Sequence, residues 1–204
     1  NYTTAIKGFS IWTVVWAHSG AMLSVGGIQF VAGIGVALFL MCSGYGLEIS
    51  YEKNGLISFW KKRLLGVCLP FWIVELVGLL ATGVFSIKTY LLDFCFLKSA
   101  TSYGWFMTYI VICYLIFYAV KRLIKDVKIQ MLALFGAFAI WFVLESMFFA
   151  NPDMPFLRAR QMLSFPVGVL LAANKNQIDR TLTKTKNILI LTGGGVQCAF
   201  SSWQ

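Results

Sequence analysis

The stretch LLGVCLPFWIVELVGLLATGVF, residues 64–85, limits what this chain can fold into more than any other feature. Its one charged residue is Glu75. A helix of roughly 20 apolar residues crosses the hydrocarbon core of a bilayer, so a run of this length is read as a span. Similar runs lie at about 4–23, 29–50, 104–120 and 129–150. A shorter one at about 157–173 carries Pro166 and Gly168, and a last one runs from about 187 to the end. Between them, SIKTYLLDFCFLKSATSY at 86–103 has an apolar centre too short to span and reads as a surface or re-entrant segment. The expectation is an all-α, polytopic transmembrane helix bundle with about seven spans. Composition agrees. Of 204 residues, 59% are hydrophobic and 12% charged, against about 25% charged in soluble domains, and the mean hydropathy is +0.77. A soluble helical protein with a large core is excluded by the length of the apolar runs.

The net charge of +9 would suggest nucleic acid in a soluble protein. Here the basic residues form short clusters between apolar runs, which fits anionic cytoplasmic lipid and not a nucleic-acid groove. Their placement orients the chain. With a cytoplasmic N-terminus, inner segments hold Lys7, Lys53, Lys61, Lys62, Arg63, Lys121, Arg122, Lys125, Lys128, Lys175, Arg180, Lys184 and Lys186. Of 17 Lys and Arg, the outer side keeps Lys88, Lys98, Arg158 and Arg160. The five cysteines lie in apolar surroundings without a CxxC spacing, so they read as small buried hydrophobes, and no metal site is expected. The chain shows no repeat and no domain linker, and residues 1–204 read as one transmembrane domain. It stops at CAFSSWQ, at the close of a span, which suggests a C-terminally truncated polypeptide.

Ionisable groups inside spans are costly and are candidates for function. They are Lys7, His18, Glu75 and Glu145, with Glu48 near a span end. Lys7 lies eleven positions before His18, the only histidine. As helix that is a rise of about 16 Å and close to three whole turns, so both side chains share one flank. Lys7 would lie near the inner water boundary, its stem able to snorkel. His18 would lie deep, facing the bundle or a cavity, either as a hydrogen-bonded core residue or as a general base. Glu75 and Glu145 could each pair with a cation or orient an imidazole. The glycines of SGYG, 43–46, allow close helix approach. Lys61, Lys62 and Arg63 read as a charge anchor or as a hold for a phosphate-bearing donor.

Together these pieces resemble acyltransferase family three, the polytopic bacterial membrane O-acyltransferases. A basic residue, ten others and a histidine open that family, as Lys7 and His18 do here. Its second span, of the type GVDLFFVLSGF, is similar to GVALFLMCSGY at 35–45, with Ala37 in place of the acidic residue. Its phenylalanine, basic run and proline–aromatic pair match FWKKRLLGVCLPFW at 59–72, with Gly66 where a second arginine is usual. Trp105 and Phe106 match a tryptophan–phenylalanine pair, and RQMLSFPVGVLLA matches a later pattern. The resemblance covers about 4–173, and with about ten spans in the family the chain looks like its first two thirds. It implies transfer of an acyl group, commonly acetyl, from cytoplasmic acyl-CoA to a hydroxyl of a glycan or lipid-linked sugar, in the bacterial inner membrane. It implies His18 as base and Lys7 as a hold for donor phosphate or a stabiliser of charge. Lys62 and Arg63 would attract the donor's nucleotide. Ser43, Tyr45 and Trp105 would line the site, and Glu145 would orient or touch the acceptor. Two other classes stay open: a transporter or flippase of a glycan or lipid intermediate, and a non-catalytic sensory domain of the same fold.

Overall fold

A computed structural model describes residues 2–22, 28–96, 101, 104–148, 161–181 and 183. It is built of helices. In chain order they are α1 (Tyr2–Met22), α2 (Ile28–Asn54), α3 (Phe59–Arg63), a π-helical turn (Leu64–Cys68), α4 (Leu69–Ala81), α5 (Ile87–Phe94), α6 (Trp105–Leu123), α7 (Val127–Phe148) and α8 (Ser164–Ala173). Among the described residues, four helical stretches are long and apolar enough to cross a membrane: Val31–Asn54, Phe59–Ala81, Trp105–Leu123 and Val127–Met147. The chain is therefore an all-α membrane protein. These four match the expected spans two to five. The first apolar run is the continuous helix α1. The sixth contains α8, only 10 residues long, and the seventh lies outside the described residues.

α2 and α6 form the centre. Each buries 39% of its most apolar window, against 11% for Phe59–Ala81 and 17% for α7. The outer two present Ile73, Val74, Val77 and Leu80, and Ile140, Val143, Leu144 and Met147, on exposed faces. Such continuous apolar surface suits lipid. The shared core contains Leu40, Ile110, Cys113, Phe117, Leu134, Phe138, Met162 and Phe165. Phe117 meets Phe59 (6.1 Å between centroids), Tyr51 (6.3 Å) and Phe165 (6.4 Å), and Phe165 stacks on Phe138 at 5.6 Å.

Small residues set the closest crossings. α1 turns Ser10, Thr13 and Ala17 onto α2, all buried. A methyl at Gly35 would overlap the Thr13 hydroxyl and approach the Ser10 carbonyl. Both α1 hydroxyls donate to their own helix, Ser10 Oγ to the Ile6 carbonyl at 2.7 Å and Thr13 Oγ1 to the Ser10 carbonyl at 2.8 Å, so the dry crossing leaves neither donor unmet. On the other side of α2, a methyl at Gly44 would overlap the Phe165 carbonyl, and one at Gly168 would overlap the Met41 carbonyl. Gly44 thus makes the approach expected of SGYG, while Gly46 faces open space.

Helix ends follow local chemistry. Gly55, at φ 58°, donates its amide to the Tyr51 carbonyl at 2.7 Å and closes α2. Asp126 accepts the Ile129 amide at 2.9 Å and opens α7. The π turn precedes Pro70, which has no N–H to give to a carbonyl one turn back. Its extra residue keeps one inward face along the whole rod: Phe59, Arg63, then five residues on to Cys68, then Trp72, Glu75 and Leu79. The 86–103 segment contributes α5, which docks on α4: Tyr90 donates to the Trp72 carbonyl at 3.1 Å, and Phe94 stacks on Trp72 at 4.1 Å.

Candidate functional site

Lys7 is half-buried against α2. Its ammonium stands over the Phe39 ring, 5.6 Å from the centroid, with Cys42 and Arg63 near enough to act on it electrostatically. Phe39 and Cys42 are in the middle of α2, so Lys7 is half-buried halfway along that helix. Arg63 reaches the same region from the start of the π turn. Its guanidinium lies over Phe59 at 5.3 Å and over Tyr114 at 5.8 Å. Arg63 Nε is buried without a hydrogen-bond partner. Among the described residues neither Lys7 nor Arg63 has a carboxylate within ion-pair distance. Two cations thus share an aromatic cradle, and among the described residues no carboxylate is paired with either. Like charges held together out of bulk water are unfavourable until an anion joins them.

Lys121 shows the alternative arrangement. Sequence reasoning placed it in an inner basic cluster at a span end, yet its side chain is only 2% exposed. It donates to Glu48 Oε1 at 2.7 Å and to Gln130 Oε1 at 2.8 Å, and it stands over Tyr51 at 4.7 Å. Gln130 in turn donates to the Ile124 carbonyl at 2.7 Å. This ion pair ties α2, α6 and α7 together at the end of the bundle where Lys53, Lys61, Lys62 and Arg122 also lie. The available signal was Glu48, an acidic residue inside an apolar helix, which needs a buried cation from another element.

The opposite end of α6 is aromatic. Trp105 and Tyr109 are one turn apart, and Trp141 of α7 packs on Tyr109 at 4.6 Å. Glu145 lies one turn beyond Trp141 and is close enough to act electrostatically on Tyr109. Tyr109 is 3% exposed, and among the described residues its hydroxyl has no hydrogen-bond partner. Phe106 meets Phe39 edge-on at 5.5 Å. Since Lys7 stands over Phe39, rings connect the cationic cradle directly to this group.

The remaining sequence candidates fall as follows. His18 is in α1 as expected, on the Lys7 flank, but it is exposed. Ala17 is the buried residue of that turn because the small face of α1 packs on α2, which leaves His18 at the edge of the contact. Ser43 is buried with an unpartnered hydroxyl, Tyr45 is half-buried, and Lys62 is exposed on the basic end. Glu75 is buried on the inward face of α4 with Oε1 unpartnered. Of the cysteines, Cys42, Cys68 and Cys113 are buried, as expected, while Cys95 is exposed, and Cys198 lies outside the described residues. The structure brings Lys7 and Arg63 together and joins Trp105 to Glu145 through Tyr109 and Trp141. Sequence reasoning missed Tyr109 and Trp141, since isolated aromatics inside spans carry no distinguishing signal.

A family profile described as an acyltransferase domain matches residues 1–203, essentially the whole chain. Comparison with curated proteins and with solved structures returns no match.

Proposed function

The chain belongs to the acyltransferase 3 family and is a membrane acyltransferase, and from that premise we propose that it moves an acetyl group from acetyl-CoA to a hydroxyl of a glycan or lipid-linked sugar. One observation supports the donor half of this reading: Lys7 and Arg63 come together on aromatic walls, and among the described residues no carboxylate pairs with either. A phosphate-bearing thioester supplies the missing negative charge. Arg63 offers a planar, multidentate donor set, and Lys7 a mobile point charge. Lys62, exposed on the basic end, draws the nucleotide portion toward the cradle. Gathering of Lys53, Lys61, Lys62 and Arg122 at one end supports a cytoplasmic N-terminus and donor approach from the cytoplasm of a bacterium, across its inner membrane.

The chemistry needs a proton acceptor and charge stabilisation. The acceptor hydroxyl gives its proton to His18, its oxygen attacks the thioester carbonyl, and the CoA thiolate leaves and takes a proton. Lys7, about three helical turns from His18, and Arg63 hold the donor's phosphates, and a hydrogen-bond donor beside the thioester carbonyl stabilises the oxyanion that forms in between. His18 sits on the exposed flank of α1, which a hydroxyl can reach without parting the α1–α2 crossing. Ser43, Tyr45 and Trp105 line the way, and Glu145 contacts the acceptor.

The test uses full-length protein in lipid vesicles with labelled acetyl-CoA and membrane glycan. His18→Gln should lower acetyl transfer by about 10²–10⁴-fold while acetyl-CoA binding persists. Retention of substantial activity would sink His18 as base and favour a transporter of the glycan intermediate. Absence of both product label and donor hydrolysis in the wild type would remove the enzymatic reading of this chain's site.

A further inference from the structure

We propose that Glu48 and Lys121 are positioning residues for the donor cradle, and that their ion pair, by tying α2 to α6, sets how far Lys7 stands from Arg63. The inference rests on the reading of Lys7 and Arg63 as the hold for the donor, and deepens it. Each cation rides on a different one of the two tied helices. Lys7 lies over Phe39 of α2, and α1, which carries it, is keyed to α2 where Gly35 meets Thr13. Arg63 lies over Tyr114 of α6 and over Phe59, and Phe59 stacks on Phe117 of α6 at 6.1 Å, 12° from parallel. One pattern recurs on α3 and α6: a phenylalanine, then a cation four residues on that lies over its ring, Phe59 with Arg63 and Phe117 with Lys121. The two pairs share one stack of rings, so a shift of α6 carries Arg63 with it.

Long side chains fix the spacing of α2 from α6. Glycines of α2 close on α1 and α8, but among the described residues none closes on α6. Contact with α6 is made by Phe39 on Phe106 at 5.5 Å, Tyr51 on Phe117 at 6.3 Å and Glu48 on Lys121 at 2.7 Å. Edge-on rings are tolerant of offset, whereas a charge-assisted hydrogen bond between buried partners fixes distance and direction. Lys121 is held further by Gln130 Oε1 at 2.8 Å. The tie lies about 14 Å along α2 from Phe39 and about 10 Å along α6 from Tyr114, both toward the basic end. Lys7 and Arg63 carry like charges and push their supporting helices apart until an anion joins them. A tie two or three turns away opposes that push and holds the cations at a fixed spacing for the donor's phosphates. A spacing set in advance spares the donor the cost of drawing the walls together.

The experiment measures binding of labelled acetyl-CoA to full-length protein in lipid nanodiscs, together with the rate of acetyl transfer to membrane glycan at saturating acetyl-CoA. Glu48→Leu with Lys121→Met removes the tie and leaves no buried charge unpaired. It should weaken acetyl-CoA binding by about three- to tenfold, with the saturated rate and the unfolding temperature close to wild type. Added to Arg63→Gln it should cause no further loss, because a positioning effect then has no guanidinium to place. Should the first pair of changes not fold, Glu48→Gln with Lys121→Met, closer in shape at position 48, carries the same expectation. Tyr51→Leu removes packing at the same place but keeps the tie, and should bind acetyl-CoA as the wild type does. Unaltered affinity in the double variant, an equal loss in Tyr51→Leu, or an undiminished loss on top of Arg63→Gln overturns the proposal. Failure of the donor reading looks different: Lys7→Met and Arg63→Gln would both keep wild-type affinity, which removes the cradle and the positioning role with it.

Discussion

Arg63 and Lys121 are two basic side chains that the fold draws inward from the same end of the bundle. Lys121 meets Glu48, Gln130 and the Tyr51 ring and is closed off. Among the described residues Arg63 meets Phe59 and Tyr114, keeps an unpartnered Nε and has Lys7 for company. The difference separates holding from binding. A cation given its own carboxylate fastens helices together, and its surroundings have no need of a ligand. A cation given rings and a second cation is held in place but not neutralised, and a soluble anion completes it.

The comparison can be broken most forcefully at Glu48. Glu48→Ala leaves Lys121 charged and buried, and should cost about 3–5 kcal/mol, seen as a lower unfolding temperature in nanodiscs. Replacing both partners, Glu48→Leu with Lys121→Met, should recover most of that loss. If the single change is silent, Lys121 is not held by this pair. Next in size, Arg63→Gln should raise the KM for acetyl-CoA by about ten- to a hundredfold, the worth of charge-assisted hydrogen bonds, with little change in unfolding temperature. A drop in stability as large as that of Glu48→Ala would make Arg63 a structural cation after all. Smallest, Tyr51→Leu removes the ring under Lys121 and should cost about 0.5–2 kcal/mol, with acetyl-CoA binding unaltered.

Most of the scaffold was legible residue by residue. The runs around 29–50, 64–85, 104–120 and 129–150 were visible because a lipid-spanning helix must be apolar for about 20 residues, and each became a helical stretch of about that length, the second shifted to Phe59–Ala81 and broken by the π turn. Lys7 was legible by its spacing to His18 and Arg63 as part of the basic cluster at 61–63, but their meeting was not. Lys121 was misjudged for a physical reason. A lysine followed by arginine at the end of an apolar run looks the same whether it reaches water or folds back onto a glutamate of another helix. His18 was expected deep, and helical arithmetic did put it on the Lys7 flank. Its exposure depended on which α1 face the glycine of α2 would accept.

The sequence by itself determined that the chain is a helical membrane protein of the acyltransferase 3 family, because hydropathy and ordered short motifs are properties of the chain read in line. Tertiary structure decided which charges are spent on one another and which stay available, whether Arg63 and Lys7 face together, and whether Tyr109 keeps a hydroxyl unmet. Those outcomes depend on side chains from different helices approaching within a few ångströms, and the crossings at Gly35, Gly44 and Gly168 set those approaches.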